Sequence, residues 1–278
     1  MELHSGSAIV TGAAGGIGSV VAARLAEGGM GVVLADIDAD GLERARSRIA
    51  AASPGVEVLA VAGDVGDPAH HDELVAAADR AGGLRLSVLN AGVSLPGLSW
   101  EEPLSRWELT TRVNYWGVVH GLRAALSAMV PRADGWVVAI SSGAGLVATP
   151  GLAPYVATKH AVVGMMESAN HELARVGSPV GVSVVCPGNI ATAGPGRPAM
   201  SGVDAAEGSA FPGVVRSIQD TTRAGVEGGA DPSTVSDALV AGVAEERFWI
   251  LPQPELAWAA EDRVRRLAAG EPPVDLLG

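Results

Sequence analysis

Short apolar runs alternate with longer amphipathic stretches along most of the chain. SAIVTG, GVVLADID, EVLAVAGDV, LSVLNAG, GWVVAISS and GVSVVCPG read as strands buried on both faces. Between them, IGSVVAARLAEGG, DGLERARSRIAAAS, PAHHDELVAAADRAGG, SRWELTTRVNYWGVVHGLRAALSAMVP and APYVATKHAVVGMMESANHELARVG place apolar residues at helical period. Strand and helix in repeated alternation predict an α/β fold, a doubly wound parallel sheet of the Rossmann type covered by helices. One domain over 1–278 is expected. Ligands bind such sheets beyond the carboxyl ends of the strands, which directs attention to the residues after each apolar run.

The pattern breaks after GVSVVCPG. Residues 193–213, AGPGRPAMSGVDAAEGSAFPG, are rich in Gly, Pro and small side chains, and are expected to form a substrate lid. The tail 248–278 is expected to be a C-terminal arm, with WILP as one more strand and EPPVDLLG lying on a neighbouring surface.

Composition narrows the class. A chain of 278 residues, 48% hydrophobic, has ample material for one core, and its net charge of −12 argues against a nucleic-acid or anionic-membrane partner. The single cysteine, Cys186, rules out an intramolecular disulfide and fits a reducing compartment. The start MELHSGSAIVTGAAGG lacks the basic stretch and apolar run of an export signal, so a cytoplasmic protein is expected. Of the 19 basic residues, only Lys159 is a lysine. There are also only two tyrosines, and Tyr155 lies four residues before that lysine, which puts both side chains on one helix face.

The first strand-to-helix turn reads TGAAGGIG, with Gly12, Gly16, Ile17 and Gly18 at TGxxxGxG spacing. Glycines there let the backbone approach a pyrophosphate, and the helix start offers positive partial charge. The second apolar run ends at Asp36, close to the distance at which an acid binds the adenosine ribose hydroxyls. Its carboxylate would repel a 2′-phosphate, and neither Ala14 nor Ile37 offers a cation to receive one, so NAD is expected over NADP.

In order and spacing, TGAAGGIG, Asp36, Asp64-Val65, Asn90-Ala91-Gly92, Asn114, Ser142, Tyr155-x-x-x-Lys159 and Pro187-Gly188-x-Ile190-x-Thr192 resemble the short-chain dehydrogenase/reductases in their compact single-domain branch. The resemblance implies an NAD(P)-dependent oxidoreductase acting on CH–OH groups. It implies that Asn114, Ser142, Tyr155 and Lys159 carry the chemistry: Ser142 orients the substrate oxygen, Lys159 binds the nicotinamide ribose and Asn114 holds a water of a proton relay. It further implies that Asp64 and Val65 flank the adenine, that Asn90 lies under the cofactor, and that Ile190 and Thr192 meet the carboxamide. A homo-oligomer, as a tetramer, is implied too, with Ala161, Val162, Gly164, Met165 and Ala169 as a possible packing stripe.

The physics of YVATK supports this reading. Pro154 suits a first helical turn, so Tyr155 would lie near a helix N-terminus with Lys159 one turn on. Both positive influences are expected to lower the phenol pKa from about 10 toward working pH, making Tyr155 the general acid/base. Arginine would not replace the lysine, since its guanidinium is larger, planar and unable to release a proton.

Other residues read as bland. His70-His71 is expected to be an exposed helix start, and no HExxH or paired CxxC spacing predicts a metal. Cys186 is expected to be a small buried apolar residue, and His120, His160 and His171 show no evident partners. The segments expected around the substrate, GVSLPGLSW, GAGLVATPGLAP and 193–213, are mostly small or apolar, with Arg197 the one cation. An uncharged, hydrophobic secondary alcohol or ketone is therefore expected. The alternatives are an NADPH-dependent 3-oxoacyl ketoreductase for carrier-bound chains, which Asp36 disfavours, and a non-catalytic dinucleotide-sensing module, which would have no need of Ser142, Tyr155 and Lys159 together.

Overall fold

The computed structural model describes residues 3–192 and 206–274. In chain order the elements are β1 (Ser7–Thr11), α1 (Gly16–Glu27), β2 (Gly31–Asp36), α2 (Ala39–Ala52), β3 (Val58–Ala62), α3 (Pro68–Arg80), β4 (Leu84–Leu89), α4 (Leu104–Thr111) and α5 (Gly117–Met129). They continue as β5 (Trp136–Ile140), α6 (Ala153–Arg175), β6 (Gly181–Val185), α7 (Pro212–Glu227), α8 (Pro232–Ala244), β7 (Trp249–Ile250) and α9 (Leu256–Ala269). A π-helical turn, Arg112–Trp116, joins α4 to α5.

The strands form one seven-stranded sheet in the order β3-β2-β1-β4-β5-β6-β7, with every pairing parallel. The order reverses at β1, which pairs β2 on one side (Ile9 with Val33) and β4 on the other (Val10 with Val88). Side chains alternate across the sheet. Ala8, Val10, Val32, Leu34, Val138 and Ile140 pack with α1, α2 and α8, whereas Ile9, Val33, Ala35, Val137 and Ala139 pack with α3, α5 and α6. Two cores sandwich the sheet, as an apolar run with no polar face requires.

β3 departs from that expectation. It is the edge strand, and its residues alternate between covered and open positions instead of being buried on both faces. Edge position depends on strand order, which the local pattern of EVLAVAGDV does not carry.

The helix starts are written locally. Asp38, Asp67 and Asp231 accept from the backbone N–H of Gly41, Ala69 and Ser233, and the last two are followed by Pro68 and Pro232, whose fixed φ suits a first turn.

The lid segment 193–213 falls largely outside the described residues, Arg197 and Asp204 among them, but its end does not remain irregular: α7 begins at Pro212. In the C-terminal arm β7 is present as expected, followed by α9; residues 275–278 lie outside the described residues. Among the described residues no helix is long and apolar enough to cross a membrane.

Candidate active site

The site is assembled at the carboxyl end of the sheet. After β1, Gly12 and Gly16 adopt left-handed backbone (φ +69° and +54°), which a side chain would disfavour. A Cβ on Gly18 would sit 2.3 Å from the Gly12 carbonyl oxygen and 2.6 Å from Asn90 Nδ2. Gly12 and Gly18 are thus demanded by packing within the turn, while a Cβ on Gly16 would approach Thr192 at 3.4 Å. Asn90 joins the turn to β4: its Nδ2 donates to the carbonyl of Thr11 at 2.8 Å, and its own N–H donates to Thr11 Oγ1 at 2.9 Å. Gly15 gives the start of α1 no side-chain cap, and Ile17 covers part of the adjoining core.

Asp36 ends β2 and is buried, its carboxylate accepting from the N–H of Ala14 (3.0 Å) and Asp38 (3.1 Å). Beside it, Gly63 N–H donates to the Asp36 carbonyl, which brings the turn 63–66 after β3 against the end of β2. In that turn Asp64 accepts from Gly66 N–H at 2.8 Å and forms an ion pair with Arg112. Burial alone would raise the Asp64 pKa, but the Gly66 and Arg112 bonds outweigh it and hold the carboxyl below its ordinary value. Val65 is buried, and its carbonyl pairs with His71 Nε2 at 2.9 Å.

The four residues expected to carry chemistry converge from three elements. Asn114 lies in the π-helical turn, fully buried. Its Oδ1 accepts from Val93 N–H at 2.8 Å, and its Nδ2 donates to the Val93 carbonyl at 2.9 Å and to Thr158 Oγ1 at 3.3 Å. A π turn rotates one residue out of helical register, a device common at functional sites. Ser142 follows β5, and its Oγ accepts from Ala144 N–H at 3.1 Å. Its side chain also acts on the phenol of Tyr155, drawing its pKa down. Lys159 is buried, with Nζ donating to the Ile140 carbonyl at 2.8 Å and lying 5.5 Å from the Tyr155 ring centre.

The electrostatics differ from those expected of YVATK. Burial pushes the Tyr155 phenol above its ordinary value, and the neighbouring Ser142 side chain opposes that rise. Burial likewise lowers Lys159 from 10.5 to about 8. In the chain alone, desolvation outweighs the helix start and the amine. Cys186, fully buried as expected, interacts electrostatically with the same group; burial pushes its thiol up to about 12, against the opposing pull of Ser142, Lys159 and Ser141.

Ile190 and Thr192 follow β6. Ile190 bridges to Ala230, and Thr192 N–H donates to the Ile190 carbonyl at 2.8 Å. The Ser142 turn is tied to the same region, since Gly143 N–H donates to the Pro187 carbonyl at 2.7 Å. On the open side, three loops interlock. Gly97 N–H donates to the Gly151 carbonyl, Glu101 accepts from Ser209 Oγ (2.5 Å) and Ala210 N–H (3.2 Å), and Ile218 packs against Gly151.

The structure thus brings every expected site residue to the carboxyl end of the sheet, and adds Arg112, His71, Glu101 and Cys186. The glutamate and the arginine act across loops that no local spacing connects. His70 and His71 are not an exposed helix start: both are buried, because α3 returns against the turn 63–66. His160 does have a partner, the Val156 carbonyl at 3.0 Å, and His120 stacks on Trp116. Of the apolar stripe on α6, Val162 and Ala169 enter the core and Ala161 and Gly164 are exposed. No cluster of potential metal ligands occurs among the described residues.

Comparison with known proteins agrees with this arrangement. A sequence profile described as short chain dehydrogenase matches residues 7–197. The chain is 32% identical over 286 residues to a CLA biosynthesis dehydrogenase/reductase of Lactiplantibacillus plantarum, covering 96% of this chain and 95% of that one. It is 40% identical over 196 residues to a 1-deoxy-11-beta-hydroxypentalenate dehydrogenase of Streptomyces avermitilis, with 69% of this chain and 71% of the relative covered. A crystal structure from Burkholderia phymatum, solved in complex with NAD, superimposes with a TM-score of 0.89 at 30% identity, over 100% of this chain and 99% of that one.

Proposed function

The chain belongs to the short-chain dehydrogenase/reductase family, and on that premise we propose that it is an NAD-dependent oxidoreductase interconverting an uncharged, hydrophobic secondary alcohol and its ketone. The observation that carries the reading is the meeting of Ser142, Tyr155 and Lys159: a buried phenol whose pKa the Ser142 side chain draws down, with an amine one helical turn away and 5.5 Å from its ring centre. The Gly12–Gly18 turn, the start of α1 and the buried Asp36 carboxylate fit a dinucleotide without a 2′-phosphate. Asp64, Val65 and Asn90 would line its adenosine side and underside, and Lys159, Ile190 and Thr192 its nicotinamide end.

NAD, when bound, supplies the hydride acceptor for oxidation and, reduced, the donor for reduction. As the phenolate, Tyr155 Oη would take the hydroxyl proton while the alcohol's C–H hydrogen leaves as hydride, and as the phenol it would give its proton to the carbonyl oxygen in the reverse direction. Ser142 Oγ would hold the substrate oxygen beside the phenol. The Lys159 amine, depressed toward neutrality, is suited to exchange a proton at working pH. Asn114, by fixing Val93, would hold the loop after β4 against α6.

The mostly small, apolar segments after Gly92 and Ser142 support an uncharged substrate. A cytoplasmic homotetramer completes the proposal.

Nicotinamide absorbance with NADH and NADPH on a panel of hydrophobic ketones tests the reading, with Tyr155→Phe alongside. Turnover with NADH that vanishes in the variant is expected. Failure of the parent to bind NADH would overturn the proposal.

A further inference from the structure

The turn 63–66 is held from behind by side chains that the proposed chemistry does not use. His71 pairs through Nε2 with the Val65 carbonyl at 2.9 Å and is buried, against Gly121 of α5 and 6.3 Å from the His120 ring. His70 is buried against Gly63, where a Cβ would fall 2.3 Å from its Nδ1. That nitrogen lies 3.8 Å from Glu73, and Nε2 is without a hydrogen-bond partner. Arg112 holds Asp64 from the π-helical turn. Two imidazoles and a guanidinium therefore fix the turn beside the end of β2, where Gly63 N–H bonds the Asp36 carbonyl.

An alanine or leucine would fill the space under a turn. A buried imidazole bonded to a main-chain carbonyl fixes that carbonyl's direction, and with it the peptide plane joining Val65 to Gly66. From this geometry we infer that His71 is a positioning residue for the adenosine half of the dinucleotide site, acting through the Val65 carbonyl without touching the ligand. The inference rests on the proposed binding of NAD along β1–β3. Burial lowers the His71 pKa, so the neutral ring, with Nε2 protonated, is the form that donates.

The test separates the two halves of the cofactor. His71→Leu keeps the volume and removes the donor; His71→Gln offers an amide N–H in its place. Dissociation constants are measured for NADH, for ADP-ribose as the adenosine half and for reduced nicotinamide mononucleotide as the other half. His71→Leu is expected to weaken NADH and ADP-ribose at least fivefold and to leave the mononucleotide unchanged, with His71→Gln recovering most of the loss. An ADP-ribose loss below fivefold, or an equal loss for both halves, would overturn the inference. If His71→Leu does not fold, the His71 ring-nitrogen resonances of the parent protein decide: a shift with saturating ADP-ribose and none with the mononucleotide supports it, and no shift with ADP-ribose overturns it. A parent protein that binds no NADH would sink the functional reading instead, which keeps the two failures distinct.

Discussion

Lys159 reaches past Tyr155 to bond the carbonyl of Ile140: its Nζ donates there at 2.8 Å while standing 5.5 Å from the centre of the phenol ring. The amine is therefore placed by the end of β5, and its burial carries an energetic cost. Its pKa is depressed from 10.5 to about 8, so this group's contribution to folding is most favourable above pH 10.5, falls as pH drops to 8 and then levels off. The depression corresponds to a cost of about 3 kcal/mol at neutral pH. Lys159→Met is expected to abolish turnover and to raise stability in urea unfolding at pH 7, by about 1–3 kcal/mol once the lost hydrogen bond is offset. A less stable variant would show that the hydrogen bond outweighs desolvation.

Asn114 satisfies both main-chain groups of Val93. Asn114→Leu leaves a part-buried N–H and carbonyl unpaired, at about 1–3 kcal/mol each. Denaturant unfolding should show a loss of about 2–5 kcal/mol, with turnover reduced as the loop after β4 leaves α6.

The Ser142 hydroxyl opposes the upward pressure of burial on Tyr155. In Ser142→Ala the phenol should titrate higher still. The rising limb of the pH profile for alcohol oxidation is expected to move to more alkaline pH, and ketone reduction to persist further into that range. An unmoved limb with only the maximum lowered would confine Ser142 to substrate orientation.

Asp36 presents buried carboxylate at the end of β2. On the proposed reading Asp36→Asn removes the charge that would repel a 2′-phosphate, and competitive titration should show the proposed preference for NADH over NADPH narrowing about tenfold, near 1.4 kcal/mol. Part of the change will appear as weaker NADH binding, because the amide cannot accept from Ala14 and Asp38 through both of its ends.

Two glycines test how far local packing decides the glycine turn. A Cβ on Gly18 would collide with the Gly12 carbonyl, whereas one on Gly164 meets nothing within 4 Å. Gly18→Ala should lose about 1–3 kcal/mol and cofactor affinity together. Gly164→Ala, within the exposed side of α6, should gain about 0.5–1 kcal/mol in thermal unfolding.

Much of this molecule is legible in its residue pattern, and the exceptions share a cause. The strands, the glycine turn and the Tyr155–Lys159 pair are local: period, punctuation and spacing within a helix fix them. The half-open face of β3, the burial of His70 and His71, and the Glu101 bonds to Ser209 and Ala210 depend on which segments meet after folding. The helices over 212–227, 232–244 and 256–269 begin within or after residues 193–213, where the strand-helix rhythm that organises the earlier sequence is interrupted. The upward displacement of Tyr155 was hidden for a related reason, since charge spacing is visible in a sequence and desolvation is not.

The sheet order also sets a timetable for synthesis. β1 is made first among the strands yet lies in the interior of the sheet, and its second edge must wait for β4, where Ala8 meets Leu86. At roughly 5–20 residues per second, a ribosome would leave that apolar edge open for on the order of ten seconds. Slowing translation across residues 40–84 should lengthen the nascent chain's dependence on holding chaperones, while the same delay after β4 should matter far less.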